Sequence, residues 1–352
     1  MTTKVAFLFP GQGSQAVGMG ADVFAASPAA KYVFEAVDEA LGIPLSTLCF
    51  QGPEETLRET INAQPAIVTV SLAILAAFQE ALTLPTLHAP SWTYPLVPSY
   101  TAGHSVGEYS ALVTSGALNL KSATLLVRER GRLMHAEGTV CPGGMAAIIG
   151  MDDERLQAVC YDATQQVQQE LAAEHPEGTT STHPGLGQVA VANYNAPGQI
   201  VISGEQRALT RASELAKERG AKRVIPLSVS GAFHSPVMQP AATGLAQAVT
   251  TADVQDATIP VIGNIQGTAL IAAQDIRQEL TQQIASSVQW VGTIEYMVNA
   301  GVTVFIEIGP GQTLTGMVKR IAKGVTTLSI GTQAEIEKAV SLVREMSLVH
   351  GV

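Results

Sequence analysis

The sequence predicts an α/β protein organised on a parallel sheet, with a smaller β-α-β-β-α-β unit inserted in it. Three observations lead there. Short apolar, β-rich segments alternate with helical patterns at both ends of the chain. The rhythm changes near Gly143 and changes back near Gly231. Hydrophobic residues make up 46% of the 352 residues and charged residues only 14%, enough apolar surface for a substantial core.

The opening "KVAFLF" reads as a buried strand of a parallel sheet, and "GQGSQ" follows as a turn. "SPAAKYVFEAVDEALG" reads as a helix, with Ser27 at the N-cap, Pro28 in the first helical position and Gly42 at the end. "AQPAIVTVSLAILAAFQEAL" predicts a long, mostly buried helix, and the proline-rich stretch over 84–100 a surface excursion. "TAGHSVGEYSAL" is a short strand turning into a helix, and "LKSATLLVRERGRLMHAEG" is helical. Then come strand "GMAAIIG", helix "DDERLQAVCYDATQQVQQELAAE", loop "HPEGTTSTHPGLG" and two strands, "QVAVANYN" and "QIVISG", around the turn "APG". Helix "RALTRASELAKERG" and strand "AKRVIPLSVS" complete a ferredoxin-like order. The expected division is a large domain over 1–140 and 231–352, interrupted by the small unit over 141–230. The large domain resumes with strands "IPVIGNI" and "VTVFIEIG" and ends in a helix pair. No internal repeat is visible.

A net charge of −10 argues against a general nucleic-acid binder and leaves small substrates and local protein docking open. No apolar run predicts a membrane span. The N-terminus lacks the parts of a signal or transit peptide. Cys49, Cys141 and Cys160 are odd in number and far apart, with no zinc-type pair. They read as reduced thiols, which suits a cytoplasmic protein.

The candidate chemistry begins at Gly103-His104-Ser105-Val106-Gly107, a G-x-S-x-G nucleophile elbow. A sharp strand-to-helix turn lifts the serine clear of the backbone, and side chains two residues away on either side would clash. The helix that follows offers free amides to a developing negative charge. Serine needs a base. His88, His175 and His183 lie in loops, His350 lies near the end and His135 late in a helix. His104 adjoins the serine and leaves the turn on another side. His234, in "SGAFHSP", follows a predicted strand and is one candidate among several. No Asp or Glu has a persuasive motif for a triad acid, so a backbone carbonyl is an alternative orienting group.

Gly11-Gln12-Gly13 with Ala16 fits a dinucleotide fingerprint, but Glu35 and Asp38 fall inside a predicted helix rather than at the end of a second strand. The alternative use is an oxyanion hole, with the Gln12 and Val106 N–H groups as donors. Ala123, Leu126, Val127, Arg130, Leu133 and Met134 share one helix stripe, which places Arg130 on the apolar face. A buried guanidinium needs an anionic partner, either an internal acid or a carboxylate-bearing substrate.

Together "FPGQGSQ", "GHSVGEYSAL", Arg130-Gly131, "VANYNAPGQIVISG", "AFHS", "VQW" and "IEIGPGQTLTGMVKRI" resemble the malonyl-CoA:acyl-carrier-protein transacylase family of fatty acid and polyketide synthesis. The resemblance covers nearly the whole chain, and several blocks in order are far more specific than any one. It implies an α/β-hydrolase-like large domain with an inserted ferredoxin-like subdomain. It implies Ser105 as nucleophile, His234 as base, Gln12 and Val106 as oxyanion donors, and Arg130 as the grip on the malonyl carboxylate. It implies that a main-chain carbonyl at Gln283 orients the histidine, although "ASS" before "VQW" departs from the family's usual Asn-Pro. His104, Asn193, Asn195 and Met134 would line the site. Phe233 resembles the malonyl-type pattern.

The segments over 84–100 and 162–187 depart from the family and read as surface insertions. The resemblance implies ping-pong transfer from malonyl-CoA to an acyl carrier protein, with no cofactor or metal and a monomeric chain. Carrier proteins are typically acidic, so Lys222-Arg223 and Lys319-Arg320 are the candidate docking positions. A serine hydrolase, with an acidic triad member and no need of Arg130, is the rival reading. A non-catalytic docking subunit is a second rival.

Overall fold

The computed structural model describes residues 3–83, 95–174 and 183–346. Ten strands lie among them: β1 (Lys4–Phe9), β2 (Tyr100–Gly103), β3 (Gly143–Ile149), β4 (Val189–Ala196), β5 (Gln199–Glu205), β6 (Arg223–Pro226), β7 (Val261–Ile262), β8 (Ala269–Leu270), β9 (Val302–Ile308) and β10 (Thr326–Ile330). They form a six-stranded sheet in the order β10-β9-β1-β2-β7-β8 and a four-stranded sheet in the order β4-β5-β3-β6. The large sheet is parallel from β10 to β7, and β8 closes its edge antiparallel. The small sheet is antiparallel, with helices Asp153–Glu174 and Gln206–Glu218 completing the ferredoxin-like order.

β1 runs through the middle of the large sheet, and Val5 to Phe9 are all buried, as an apolar strand covered on both faces must be. Helix Pro28–Leu41 is capped by the Ser27 side chain, starts on Pro28 and ends at Gly42 in the left-handed region. Helix Thr60–Leu82 is the one described helix long and apolar enough to cross a membrane. It is a core element here, with 89% of its most apolar window buried in the fold. Helix Leu120–Val140 packs across it, and a Cβ on Gly131 would meet Ile61 Cα and Thr60 O at 2.9 Å. That close approach explains the glycine after Arg130.

Several sequence-based expectations need correction. The strand expected over 221–230 ends at Pro226. Only 223–226 face β3, and beyond Leu227, whose N–H reaches the Met145 carbonyl, the chain leaves the small sheet. The strand in "IPVIGNI" shrinks to Val261–Ile262. The closing helices, Thr313–Ile321 and Gln333–Glu345, are separated by β10, an edge strand whose Thr and Ser content hid its period. The insertion expected over 162–187 begins as core: Ala163 and Val167 are buried on helix Asp153–Glu174. The rest of that segment over 175–182 lies outside the described residues, as do 84–94 of the other expected insertion and His88, His175 and His350.

Candidate active site

Strands β1 and β2 end side by side, and the turns that leave them face each other. After β2 the chain bends at Ser105 with φ 52° and enters helix Gly107–Thr114. A Cβ on Gly103 would sit 2.0 Å from the Gly107 carbonyl, and one on Gly107 would sit 2.2 Å from the Phe9 carbonyl. Only glycine fits either position. Asn264, fully buried after β7, clamps the bend: its Oδ1 accepts from the Ser105 N–H at 2.7 Å, and its Nδ2 donates to the Gly103 carbonyl at 2.8 Å.

His234 lies in the chain returning from the small sheet, with φ 58°. It and Ser105 are the only non-glycine residues at positive φ among the described residues. Such backbone costs roughly 1–3 kcal/mol each and persists where the surroundings over-determine it. The surroundings are visible. The His234 N–H donates to the Ile284 carbonyl, and the ring Nδ1 lies 3.0 Å from the carbonyls of both Gln283 and Ser286. Two acceptors at Nδ1 place the proton there. Nε2 is then the acceptor facing Ser105 Oγ at 2.7 Å. Burial first, then the Arg130 charge and His104, push the His234 pKa down to about 3. The imidazole is therefore neutral and able to take a proton. No carboxylate orients it; the second carbonyl, Ser286, comes from the "ASS" departure.

Arg130 is 1% exposed on helix Leu120–Val140. It donates from Nη1 to Gln64 Oε1 (2.6 Å) and from Nη2 to Gln283 Oε1 (2.8 Å) and Ser105 Oγ (3.1 Å). All three partners are uncharged, and its Nε has none. The Gln12 and Val106 amides donate to no acceptor among the described residues, as an oxyanion site requires. Gln12 is held by its side chain, which donates to Thr60 Oγ1 at 3.2 Å.

A cleft of about 250 Å³ opens over Ser105, His234 and the Gln12 turn, and Arg130 lies behind Ser105, outside the cleft's lining. Gln12, His104, Ser105, Asn193, Asn195 and His234 line it, with Met145, Leu227, Val229 and Met317 as apolar walls. His104 Nε2 donates to Asn195 Oδ1 at 2.8 Å, and its ring tilts against Trp290. The small sheet brings in Asn193 and Asn195 because β4 is tied to Val288 by two backbone hydrogen bonds. Met134 and Phe233 do not line the cleft. Met134 is buried behind Arg130, its sulfur accepting from Gln64 Nε2, and Phe233 packs in the core against Gly231. Lys222 and Arg223 are exposed at the start of β6, and Lys319 is exposed on helix Thr313–Ile321. Arg320 is exposed but engaged, with Nη1 to Gln199 Oε1 and Nη2 to the Pro197 carbonyl. Among the described residues no three His, Cys, Asp or Glu side chains gather to hold a metal ion. The Gly11–Gly13 turn runs through further turns before helix Ala21–Ala26, and Glu35 and Asp38 are helical, so the dinucleotide pattern has no supporting geometry.

Sequence reasoning missed Gln64, Glu108, Asn264, Glu279 and Ser286. The available signal was Gln64, a polar residue in a helix read as buried, which must find a partner.

A half-buried elbow serine facing a cleft, a neutral histidine and two free amides define an acyl-transfer enzyme working through a serine. The chain belongs to the acyl transferase domain family, whose model matches residues 6–184 and 166–344. It is 43% identical over 343 residues to the malonyl CoA-acyl carrier protein transacylase of Bacillus subtilis, covering 97% of this chain and 98% of that one. The acyl-carrier-protein S-malonyltransferase of Bartonella henselae superposes with a TM-score of 0.85 at 37% identity, covering 98% and 100% of the two chains. A malonyl-transacylase solved in complex with its type II PKS acyl-carrier protein gives 0.81 at 36% identity, covering 97% and 100%.

Proposed function

We propose that this chain transfers the malonyl group of malonyl-CoA to the phosphopantetheine thiol of acyl carrier protein, by a ping-pong route through a malonyl-Ser105 ester. The observation that carries the reading is Ser105 Oγ lying between a neutral imidazole at 2.7 Å and an arginine at 3.1 Å whose hydrogen-bond partners are all uncharged.

In the first half-reaction His234 Nε2 takes the Oγ proton as the oxygen bonds to the thioester carbonyl carbon. General-base help of this kind contributes about 10²–10⁴-fold. The carbonyl oxygen, now negative, rests on the Gln12 and Val106 amides, each worth about 3–4 kcal/mol in the transition state. The carbon–sulfur bond breaks, and the His234 proton passes to the CoA sulfur. In the second half the carrier's thiol gives its proton to His234 and attacks the ester. The carbon–oxygen bond breaks, and Ser105 recovers its proton. Arg130 holds the malonyl carboxylate, fixing one pose. The chemistry calls for no cofactor.

The carrier protein docks at the cleft mouth. Leu227 and Val229, beyond β6, and Met317, on helix Thr313–Ile321, belong to the cleft wall. Lys222-Arg223, at the opposite end of β6, and Lys319, on helix Thr313–Ile321, are positive groups suited to an acidic carrier. Arg320, already committed, contributes less. The three buried free cysteines suit a reducing cytoplasm, and the acidic chain works as a monomer on neither membrane nor nucleic acid.

Intact mass spectrometry after mixing with malonyl-CoA tests the reading. The wild type should gain one malonyl group, and Ser105→Ala none; an adduct on Ser105→Ala defeats the assignment. Adding carrier protein should discharge the adduct. Charge reversal at Lys222 and Arg223 should slow that discharge and leave the loading step alone.

A further inference from the structure

One residue links Ser105, His234 and Arg130. Gln283 accepts from His234 Nδ1 through its main-chain carbonyl. Its side-chain amide donates from Nε2 to the Ser105 carbonyl at 2.9 Å and to Glu108 Oε2, and its Oε1 accepts from Arg130 Nη2 at 2.8 Å. An amide has two faces. Turned over, it would aim an NH₂ at the guanidinium and an oxygen at two acceptors, so the observed orientation is set by what Nε2 meets. The decisive acceptor is Glu108, fully buried in the first turn of helix Gly107–Thr114, immediately behind the elbow.

We propose that Glu108 is a positioning residue for malonyl selection: by accepting from Gln283 Nε2, it holds Gln283 Oε1 on Arg130 and so aims the guanidinium at the bound carboxylate. The proposal deepens the malonyl-transfer reading and rests on it. A carboxyl group suits this place for a second reason. The Gln283 amide stands between Glu108 and Arg130, so Arg130 is oriented by an amide dipole instead of being cancelled by an ion pair. Burial, and the Glu279 carboxyl beside it, favour the protonated form of Glu108, which leaves the positive charge of Arg130 open. Gln64 holds the other side of the guanidinium in the same uncharged manner.

The test compares kcat and KM for malonyl-CoA and acetyl-CoA in Glu108→Gln, Glu108→Leu and Gln283→Leu, with thermal melts for folding. Glu108→Gln keeps an acceptor oxygen and should keep the malonyl-to-acetyl ratio of kcat/KM within about threefold of wild type. Glu108→Leu should lower the ratio about tenfold or more, chiefly through KM for malonyl-CoA, the size of one hydrogen bond to a charged group. Gln283→Leu cuts the same link from the other side while keeping the main-chain carbonyl, and should reproduce the loss. It decides the matter if Glu108→Leu fails to fold. A folded Glu108→Leu or Gln283→Leu that keeps the ratio overturns the proposal, as does a Glu108→Gln as impaired as Glu108→Leu. Wild-type enzyme that forms no malonyl adduct would instead overturn the underlying activity.

Discussion

Arg130 and Glu307 are both 1% exposed, and the fold treats their charges in opposite ways. Glu307, next to last in β9, lies beneath the start of helix Thr313–Ile321. Its carboxylate accepts from the Leu314 N–H at 3.0 Å and the Thr315 N–H at 2.6 Å. Burial raises the Glu307 pKa, and the free amides and positive end of the helix work against that rise, so the fold itself supplies part of the compensation. Arg130 receives three uncharged oxygens and leaves Nε with no partner. A buried cation without compensation is costly. The difference separates a charge that serves the fold from the one proposed to hold the malonyl carboxylate.

Arg130→Ala and Glu307→Ala should break the two sites in different currencies. Arg130→Ala would remove the two charge-assisted hydrogen bonds proposed for the malonyl carboxylate. At about 1.5–3 kcal/mol each, kcat/KM for malonyl-CoA should fall about 10²–10⁴-fold, while acetyl-CoA is hardly affected. Glu307→Ala orphans two buried amides, each costing about 1–3 kcal/mol of stability, and should leave the malonyl-to-acetyl ratio untouched. Denaturant melts beside steady-state kinetics separate the two. An Arg130→Ala enzyme that keeps its malonyl preference removes the contrast altogether.

The contrast was half legible in the sequence. Helical spacing alone puts Arg130 on a buried stripe, and a buried arginine demands a partner. Nothing in the spacing says that the partners are Gln64 and Gln283, because those contacts span 66 and 153 residues. Glu108 reads as an ordinary acidic residue in a first helical turn, and only the fold shows it buried, with Glu279 of helix Ala273–Gln282 beside it. The elbow was legible because its glycines answer a local steric demand. His234 was not separable from the other histidines by local pattern, since its backbone geometry is imposed by the carbonyls of Gln283, Ile284 and Ser286, some fifty residues on. β10 escaped for a different reason: as a half-exposed edge strand it mixes Thr and Ser with Leu and Ile and shows no clean alternation.

The smallest expected effect is a shift along the pH axis. Burial is the largest cause of the low His234 pKa, and the Arg130 charge is the next. Because the folded-state pKa lies below the ordinary histidine value, the ring stays neutral as pH falls. Single-turnover loading from malonyl-CoA should therefore hold its rate from pH 8 down to about pH 5. The same depression carries a stability term of known sign. It is present above the unfolded-state pKa near 6.5 and is lost as pH falls from there towards the folded-state value, by up to about 1.4 kcal/mol per pH unit. Arg130→Ala removes one of the causes and leaves burial. Its loading rate, though low, should begin to fall at a higher pH than in wild type, and its stability should decline less steeply below pH 6.5. Glu307→Ala, at a residue that is not among the causes of the His234 shift, should shift neither. If Arg130→Ala leaves the acid limb in place, the guanidinium does not act on the imidazole, and its open charge serves the carboxylate alone.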